Sequence, residues 1–135
     1  MRLDQATMRD RVAAARVARL ATVDVEGRPH LVPVVFAIEG DDLWLAVDHK
    51  PKATRDLKRL RNIAGQPRVS VLVDHYDDDW TRLWWVRLDG AATVVDDGPV
   101  ALLGAKYPQY RERRPDGPFI AVTVDTWRGW AATSG

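Results

Sequence analysis

Alternating or continuous apolar runs recur along most of the chain and predict a mainly β structure. Turn sequences such as residues 26–29 (EGRP) and 39–42 (EGDD) separate these runs. Together they predict six strands, over residues 17–25, 30–38, 43–48, 69–75, 82–95 (interrupted at Asp89-Gly90) and 119–126. Six strands with few helices at this length favour an antiparallel barrel, closed or partly open.

Three segments have helical rather than strand periodicity. Residues 8–16 place Met8, Val12 and Ala15 on one face, and residues 51–64 place Leu57, Leu60 and Ala64 on one face before Gly65. Residues 100–106 predict a third short helix, followed by an irregular basic stretch over 107–118. With no repeats or long linkers, the pattern predicts one α+β domain over residues 1–135.

The predicted strand 30–38 (HLVPVVFAI) is apolar on both faces. One face belongs to the core, so the other needs a second cover. Either a partner subunit or a ligand would cover that second face.

Composition narrows the classes of function. The net charge of +1 provides no general attraction to nucleic acid or membrane, and the absence of cysteine excludes disulfides and thiolate chemistry. The first residues, MRLDQ, lack a continuous apolar run, so we expect no signal peptide, no membrane span and a cytoplasmic location.

A basic cluster follows the third predicted strand. Only one acid, Asp56, accompanies seven basic residues: Lys50, Lys52, Arg55, Lys58, Arg59, Arg61 and Arg68. Lysine and arginine heads near a helix start suit a phosphate group. The alternative is a solvated helix face, but such a face normally mixes both signs of charge.

Tryptophan is the second unusual feature, with six residues in the chain. Strand alternation in residues 80–87 (WTRLWWVR) predicts Trp84 with Arg82 on one face and Trp85 with Arg87 on the other. Indole rings beside guanidinium groups can form the wall of a site for a planar anion. Alternatively, one ring fills the barrel while its neighbour covers a dimer surface; Trp127 and Trp130 allow the same two interpretations.

No motif for direct catalysis is present, and we assign no catalytic residue and no metal ligand. The sequence has no GxGxxG, GxxxxGK[ST], HExxH or GxSxG pattern. His30, His49 and His75 lie at predicted strand ends, and Asp77-Asp78-Asp79 reads as a polar loop. Any chemistry would therefore be carried by a bound cofactor.

Two stretches together carry a family resemblance. RVARLATVDVEGRPHLVPVVFAIEGDDLWLAVD and the helix ending LRNIAGQPRVSVLVD resemble the pyridoxamine-phosphate-oxidase-like split-barrel flavoproteins. More closely, they resemble the branch that uses the deazaflavin coenzyme F420. The run DHYDDDWTRLWWVRLDGAATV is similar to one subgroup of that branch.

The resemblance implies a split β-barrel of the FMN-binding type, assembled as a homodimer with two cofactor sites at the interface. The backbone of the second strand would lie beneath the ring system, at Leu31, Val32, Pro33 and Val34. The end of the third strand and the basic helix would hold the phosphate, through Val47, Asp48, Lys50, Lys52, Arg55, Lys58, Arg59 and Asn62. Trp84, Trp85 and Trp130 would reach over from the neighbouring subunit. The family's Lys-x-Arg-Asn-Leu helix pattern corresponds here to 59–63 (RLRNI), with arginine in place of the usual lysine.

The function implied first is an oxidoreductase that moves hydride between F420 and a small organic acceptor. An FMN-dependent oxidase or reductase is the close alternative. A non-catalytic protein of the same fold, binding F420, haem-like tetrapyrroles or fatty acids, is the third, with His30, His49 or His75 as candidate haem ligands. The loops that form the acceptor pocket have no transferable motif, so the residues name no substrate.

Overall fold

The computed structural model describes residues 1–47 and 58–133, which form four short helices and seven strands. In chain order, the first half contains α1 (Gln5–Ala14), β1 (Ala18–Val23), β2 (Pro29–Val34), β3 (Ala37–Glu39) and β4 (Asp42–Ala46). The second half contains α2 (Lys58–Gly65), β5 (Arg68–His75), a 3-10 turn (Trp80–Arg82), β6 (Trp84–Val95), α3 (Val100–Lys106), α4 (Pro108–Glu112) and β7 (Phe119–Ala131).

The strands form one antiparallel sheet in the order β2-β1-β5-β6-β7-β4-β3. The predicted single strand over 30–38 is wrong, because it is divided into β2 and β3 at opposite edges of this sheet. The division occurs at Val35 and Phe36, where the Phe36 side chain is fully buried and its backbone N–H donates to the Tyr107 hydroxyl. The six-strand prediction is therefore also wrong, and β2 and β3 are unpaired with each other in the described residues.

The core lies on the inner face of the curved sheet. Leu20 on β1 is opposite Val71 on β5, which is opposite Leu88 on β6, and all three side chains are fully buried. Both edge regions add to this cluster, through Val32 on β2 and Leu43 on β4. The mainly β, α+β prediction is thus confirmed.

The helices pack against the sheet at several points. Helix α1 begins earlier than residue 8, because Asp4 accepts a hydrogen bond from the Thr7 N–H and acts as N-cap. Helix α3 has the predicted bounds, whereas α4 lies in a stretch predicted to be irregular. The start of the predicted helix 51–64 lies outside the described residues. None of the described helices has the length and apolar run needed to cross a membrane.

Strands β6 and β7 are the longest pair, and β7 extends five residues beyond the predicted end at 126. The predicted interruption at Asp89-Gly90 is a register shift within β6. A side chain at Gly90 would collide with the Thr123 and Val124 backbone, so only glycine fits this close approach. The extension places Trp127 and Trp130 in the sheet rather than in a tail.

Candidate functional site

A pocket of about 210 Å³ lies at the split between the sheet edge β2 and strands β4 and β7. Among the described residues, Arg59 is the one charged residue of its lining, and the other walls are apolar: Val17, Pro33, Val34, Val35, Leu45, Ala46 and Ile120. We call this the split pocket. Within residues 1–47 and 58–133, β2 pairs with β1 alone, so the backbone groups on its other side have no neighbouring strand there.

Helix α2 positions Arg59 through a buried anchor. Ile63 packs into the core, and the Asn62 amide donates to the Thr22 hydroxyl on β1 at 3.0 Å. Both Asn62 and Thr22 are buried. Asn62, expected to contact the cofactor, therefore uses its side-chain amide inside the fold, and this bond fixes the helix against the sheet.

Lys58 is the next basic residue of the predicted cluster and lies over Asp24. Its Nζ is 3.6 Å from Asp24 Oδ2, and the same carboxylate accepts hydrogen bonds from the backbone N–H of Arg28, the Arg28 guanidinium and the backbone N–H of Glu26. These Arg28 and Glu26 donors hold the pKa of Asp24 far below its usual range. A permanently charged carboxylate thus lies beside Lys58 and offsets part of the cluster's positive charge.

Several predicted phosphate ligands, Asp48, Lys50, Lys52 and Arg55, lie outside the described residues. Val47 is described, with its side chain buried and its N–H donating to Pro118 O at 3.0 Å. Of the predicted ring-contacting residues, Pro33 and Val34 line the split pocket. Val32 shares a strand face with Val34, and both pack against the core.

A second pocket, of about 600 Å³, lies on the outer face of the sheet. Leu31, Leu72, Trp85 and Trp130 form its apolar surface, and Leu31 remains 67% exposed. We call this the outer-face pocket. Its polar rim includes the Arg19–Asp74 ion pair at 3.2 Å. This uncovered apolar area corresponds to the predicted second face of the second strand.

The two adjacent tryptophans have different surroundings. Trp85 is directly opposite Trp130 across the β6–β7 ladder. Trp84 stacks on His75 with ring centroids 6.3 Å apart, and the Arg11 guanidinium lies 5.1 Å above its ring. Arg82, predicted beside Trp84 on the strand, instead belongs to the preceding 3-10 turn.

Trp127 is held in the scaffold by contacts with Asp41 and Arg9. Trp127 donates its indole N–H to Asp41 at 3.2 Å and lies under the Arg9 guanidinium at 4.5 Å. The Arg9 and Trp127 hydrogen bonds lower the pKa of Asp41. No group of three or more candidate metal ligands occurs among residues 1–47 and 58–133.

The described part of one chain does not bring the predicted site into a single cavity. Leu31, Trp84, Trp85 and Trp130 line the outer-face pocket, whereas Pro33, Val34 and Arg59 line the split pocket, and the two pockets share no lining residue. Sequence reasoning missed four apolar walls of the split pocket: Val17, Leu45, Ala46 and Ile120. Their positions at strand ends were a weak signal, since strand ends meet only in the folded sheet.

The described walls of the split pocket combine an edge strand, apolar side chains and one guanidinium group. An edge-strand backbone offers hydrogen bonds to a heterocycle, an apolar wall suits its ring face, and the Arg59 guanidinium suits an anionic tail. Its volume is small for a whole ring system, so such a group would extend beyond the described walls.

Sequence comparison identifies the family. The profile described as pyridoxamine 5'-phosphate oxidase matches residues 5–131. The chain belongs to the pyridoxamine 5'-phosphate oxidase family. The search of curated proteins found no match to this chain.

Solved structures share the fold of this family member at low sequence identity. A conserved hypothetical protein of Mycobacterium tuberculosis has a TM-score of 0.75 at 22% identity, covering 96% of this chain and 86% of that one. An FAD-binding protein of Mesorhizobium loti has a TM-score of 0.73 at 20% identity, covering 96% and 95%. The haem storage protein of Vibrio cholerae has a TM-score of 0.71 at 17% identity, covering 97% and 95%. Proteins of different function thus share this fold.

Proposed function

We propose that the protein binds a flavin-type cofactor in the split pocket and transfers hydride between that cofactor and a small organic acceptor. The observation that carries this proposal is the juxtaposition of the outer edge of β2, which pairs with no strand in the part of the chain that the structure describes, with an apolar pocket that Arg59 lines. Membership of the pyridoxamine 5'-phosphate oxidase family supports a flavin-type ligand.

We further propose F420 as the preferred cofactor. Lys58, Arg59 and Arg61 begin α2, and the sequence adds Lys50, Lys52 and Arg55 just before it. A tail with a phosphate and several carboxylates carries more negative charge than flavin mononucleotide, so a basic surface favours it. FMN is the alternative cofactor and would use the same ring site.

The chain's own residues would bind and orient rather than react. The backbone of β2 would hold the ring edge, Arg59 would pair with the anionic tail, and the apolar walls would exclude water from the ring face. The cofactor, when bound, supplies the hydride chemistry.

A homodimer would complete this site. The outer face presents Leu31, Leu72 and Trp130, each more than a third exposed, around a pocket of about 600 Å³. A two-fold pairing of this face would cover the same apolar patch twice and carry tryptophans to the neighbouring chain's cleft. Its ion pairs hold charges of both signs, such as Arg19–Asp74 and Arg87–Asp89, so the face does not repel a copy of itself.

A haem-like tetrapyrrole is the second candidate ligand. His75 lines the outer-face pocket beside Trp84, and the other walls of this pocket are mainly apolar. An imidazole in an apolar pocket is the arrangement that axial ligation of haem uses. The similar haem storage fold supports considering this ligand.

Parallel titrations with F420, FMN and haem test the proposal. We expect quenching of tryptophan fluorescence by F420 at lower concentration than by FMN, with no Soret shift on adding haem. Tighter binding of FMN than of F420 would be consistent with a flavin-binding protein but would contradict the proposed preference for F420. A Soret shift that His75→Ala abolishes, with no flavin binding, would replace the proposal by haem binding.

A further inference from the structure

Two neighbouring backbone segments contribute walls to the split pocket, and the β1–β2 ladder between them ends at the Ala18–Val34 pair. Pro33, Val34 and Val35 come from the end of β2 and the connection to β3, while Val17 comes from the residues before β1. At Val35 and Phe36 the chain leaves one edge of the sheet for the other, so the ladder does not fix its position there.

The Tyr107 hydroxyl contacts both segments. It accepts a hydrogen bond from the Phe36 N–H at 3.1 Å, and it lies 2.9 Å from Phe36 O and 3.0 Å from Arg16 O. The single hydroxyl proton can be donated to either carbonyl. Phe36 directly follows Val35, and Arg16 directly precedes Val17. One oxygen therefore links the two segments just beyond the last pair of the β1–β2 ladder, where Val17 and Val35 line the pocket.

Tyr107 is itself rigidly placed. Its backbone N–H donates to Leu103 O at 2.9 Å and ends α3, and its side chain is buried. Burial raises the pKa of the Tyr107 hydroxyl, so it remains protonated and able to donate at neutral pH. The hydroxyl is thus a fixed donor and acceptor rather than a mobile one.

A second contact strengthens the same junction. The Arg16 guanidinium donates to Lys106 O at 2.8 Å and lies 4.9 Å above the Tyr107 ring. This contact ties the segment before β1 to the end of α3 independently of the hydroxyl. Helix α3, which contributes no residue to the split pocket, is thereby connected to both of its walls.

We propose that Tyr107 is a positioning residue for the cofactor site, holding the Val35–Phe36 connection and the Arg16–Val17 segment at the spacing that the ring requires. This inference rests on the proposed function. The ring of Tyr107 packs in the fold, while its hydroxyl bonds to both segments, so removing one oxygen tests the role.

Tyr107→Phe is the decisive variant, studied in the full-length protein. We expect about a tenfold rise in Kd for F420 and for FMN, measured by fluorescence titration, and faster hydrogen exchange at the Phe36 amide. Val12→Ala is the control, because Val12 is a fully buried residue of α1 that does not line the split pocket. It should lower the melting temperature while leaving both Kd values unchanged.

Each outcome decides one of the two proposals. Wild-type affinity in Tyr107→Phe, or an equal loss of affinity in a Val12→Ala protein of matched melting temperature, would overturn the positioning role. If Tyr107→Phe does not fold, hydrogen exchange of the wild-type protein decides instead: the Phe36 amide should be protected and further slowed by bound cofactor, and fast exchange that cofactor leaves unchanged would overturn the role. If the wild-type protein binds neither cofactor, the proposed function fails. Hydrogen exchange at the Phe36 amide that is the same in Tyr107→Phe as in wild type would separately overturn the positioning role of Tyr107.

Discussion

Lys106 is a buried amine whose charge costs stability, and replacing it by methionine should stabilise the protein. Its Nζ is enclosed among the described residues without a hydrogen-bond partner, and it lies 3.8 Å above the Phe36 ring. Burial, with a smaller contribution from the nearby Arg16 charge, lowers the pKa of Lys106 from 10.5 to about 8. Methionine keeps the unbranched chain and its contact with the aromatic ring.

The size of the effect follows from the pKa. The difference between 10.5 and about 8 corresponds to roughly 3 kcal/mol against the charged form. Because part of the side chain remains near solvent, and because the Phe36 and Tyr107 rings attract the ammonium group, we reduce this to about 1–2 kcal/mol. We therefore expect Lys106→Met to raise the free energy of unfolding by about that amount at pH 7.

The pH dependence of the unfolding free energy tests the direction of this effect. Between pH 8 and 10.5 the unfolded chain still binds the Lys106 proton while the folded chain has lost it, so wild-type stability gains from this group as pH rises. Below pH 8 both states are protonated and the full cost remains. The advantage of Lys106→Met should consequently be largest at pH 7 and should shrink toward pH 10.5.

Urea unfolding of both proteins at several pH values between 7 and 10.5 measures this difference. Lys58→Met is the matched control, since the Lys58 side chain is exposed and its amine lies 3.6 Å from Asp24. That change should give no stabilisation. If Lys106→Met is less stable than wild type at pH 7, or if its advantage does not vary with pH, the cation–π contact outweighs desolvation and the reasoning is wrong.

Three further predictions concern the site, the assembly and the fold. Arg59→Ala or Lys52→Ala should weaken cofactor binding by roughly 1.5–3 kcal/mol in a fluorescence titration, because each would remove a charge-assisted contact; unchanged affinity in both would move the anion site elsewhere. Leu72→Asp should convert a dimer into a monomer by light scattering, because it buries a charge in the proposed interface; a dimer that persists would exclude the outer face. Asn62→Ala should lower unfolding free energy by about 1–3 kcal/mol in urea, because it leaves the buried Thr22 hydroxyl without its donor.

The local sequence pattern predicted correctly those elements in which burial follows the spacing of apolar residues. The strand predicted over 69–75 differs from β5 by one residue, and the helix over 100–106 coincides with α3. In β5 buried and accessible positions alternate from Val69, so the period-two pattern reports directly on the sheet. The interruption at Asp89-Gly90 was also visible, since glycine in a strand marks a bulge or a close backbone approach.

The split of residues 30–38 was not predictable from periodicity. Val34, Val35, Phe36 and Ala37 are continuously apolar, so no local signal marks where β2 ends. At the break, the Phe36 N–H and carbonyl bond to the Tyr107 hydroxyl, which lies 71 positions away in the chain, rather than to a strand partner. Only the tertiary structure brings that oxygen to Phe36.

The candidate site shows the same division. The sequence by itself indicated a mainly β fold, a basic helix, and tryptophans suited to a planar ligand, because composition and periodicity are local properties. The tertiary structure decided that Arg59 faces the split pocket while Asn62, three positions later, turns inward to Thr22. It also placed Trp85 and Trp130 in the outer-face pocket. The distance between these rings and Arg59 depends on the order of the strands in the sheet, which no local pattern encodes.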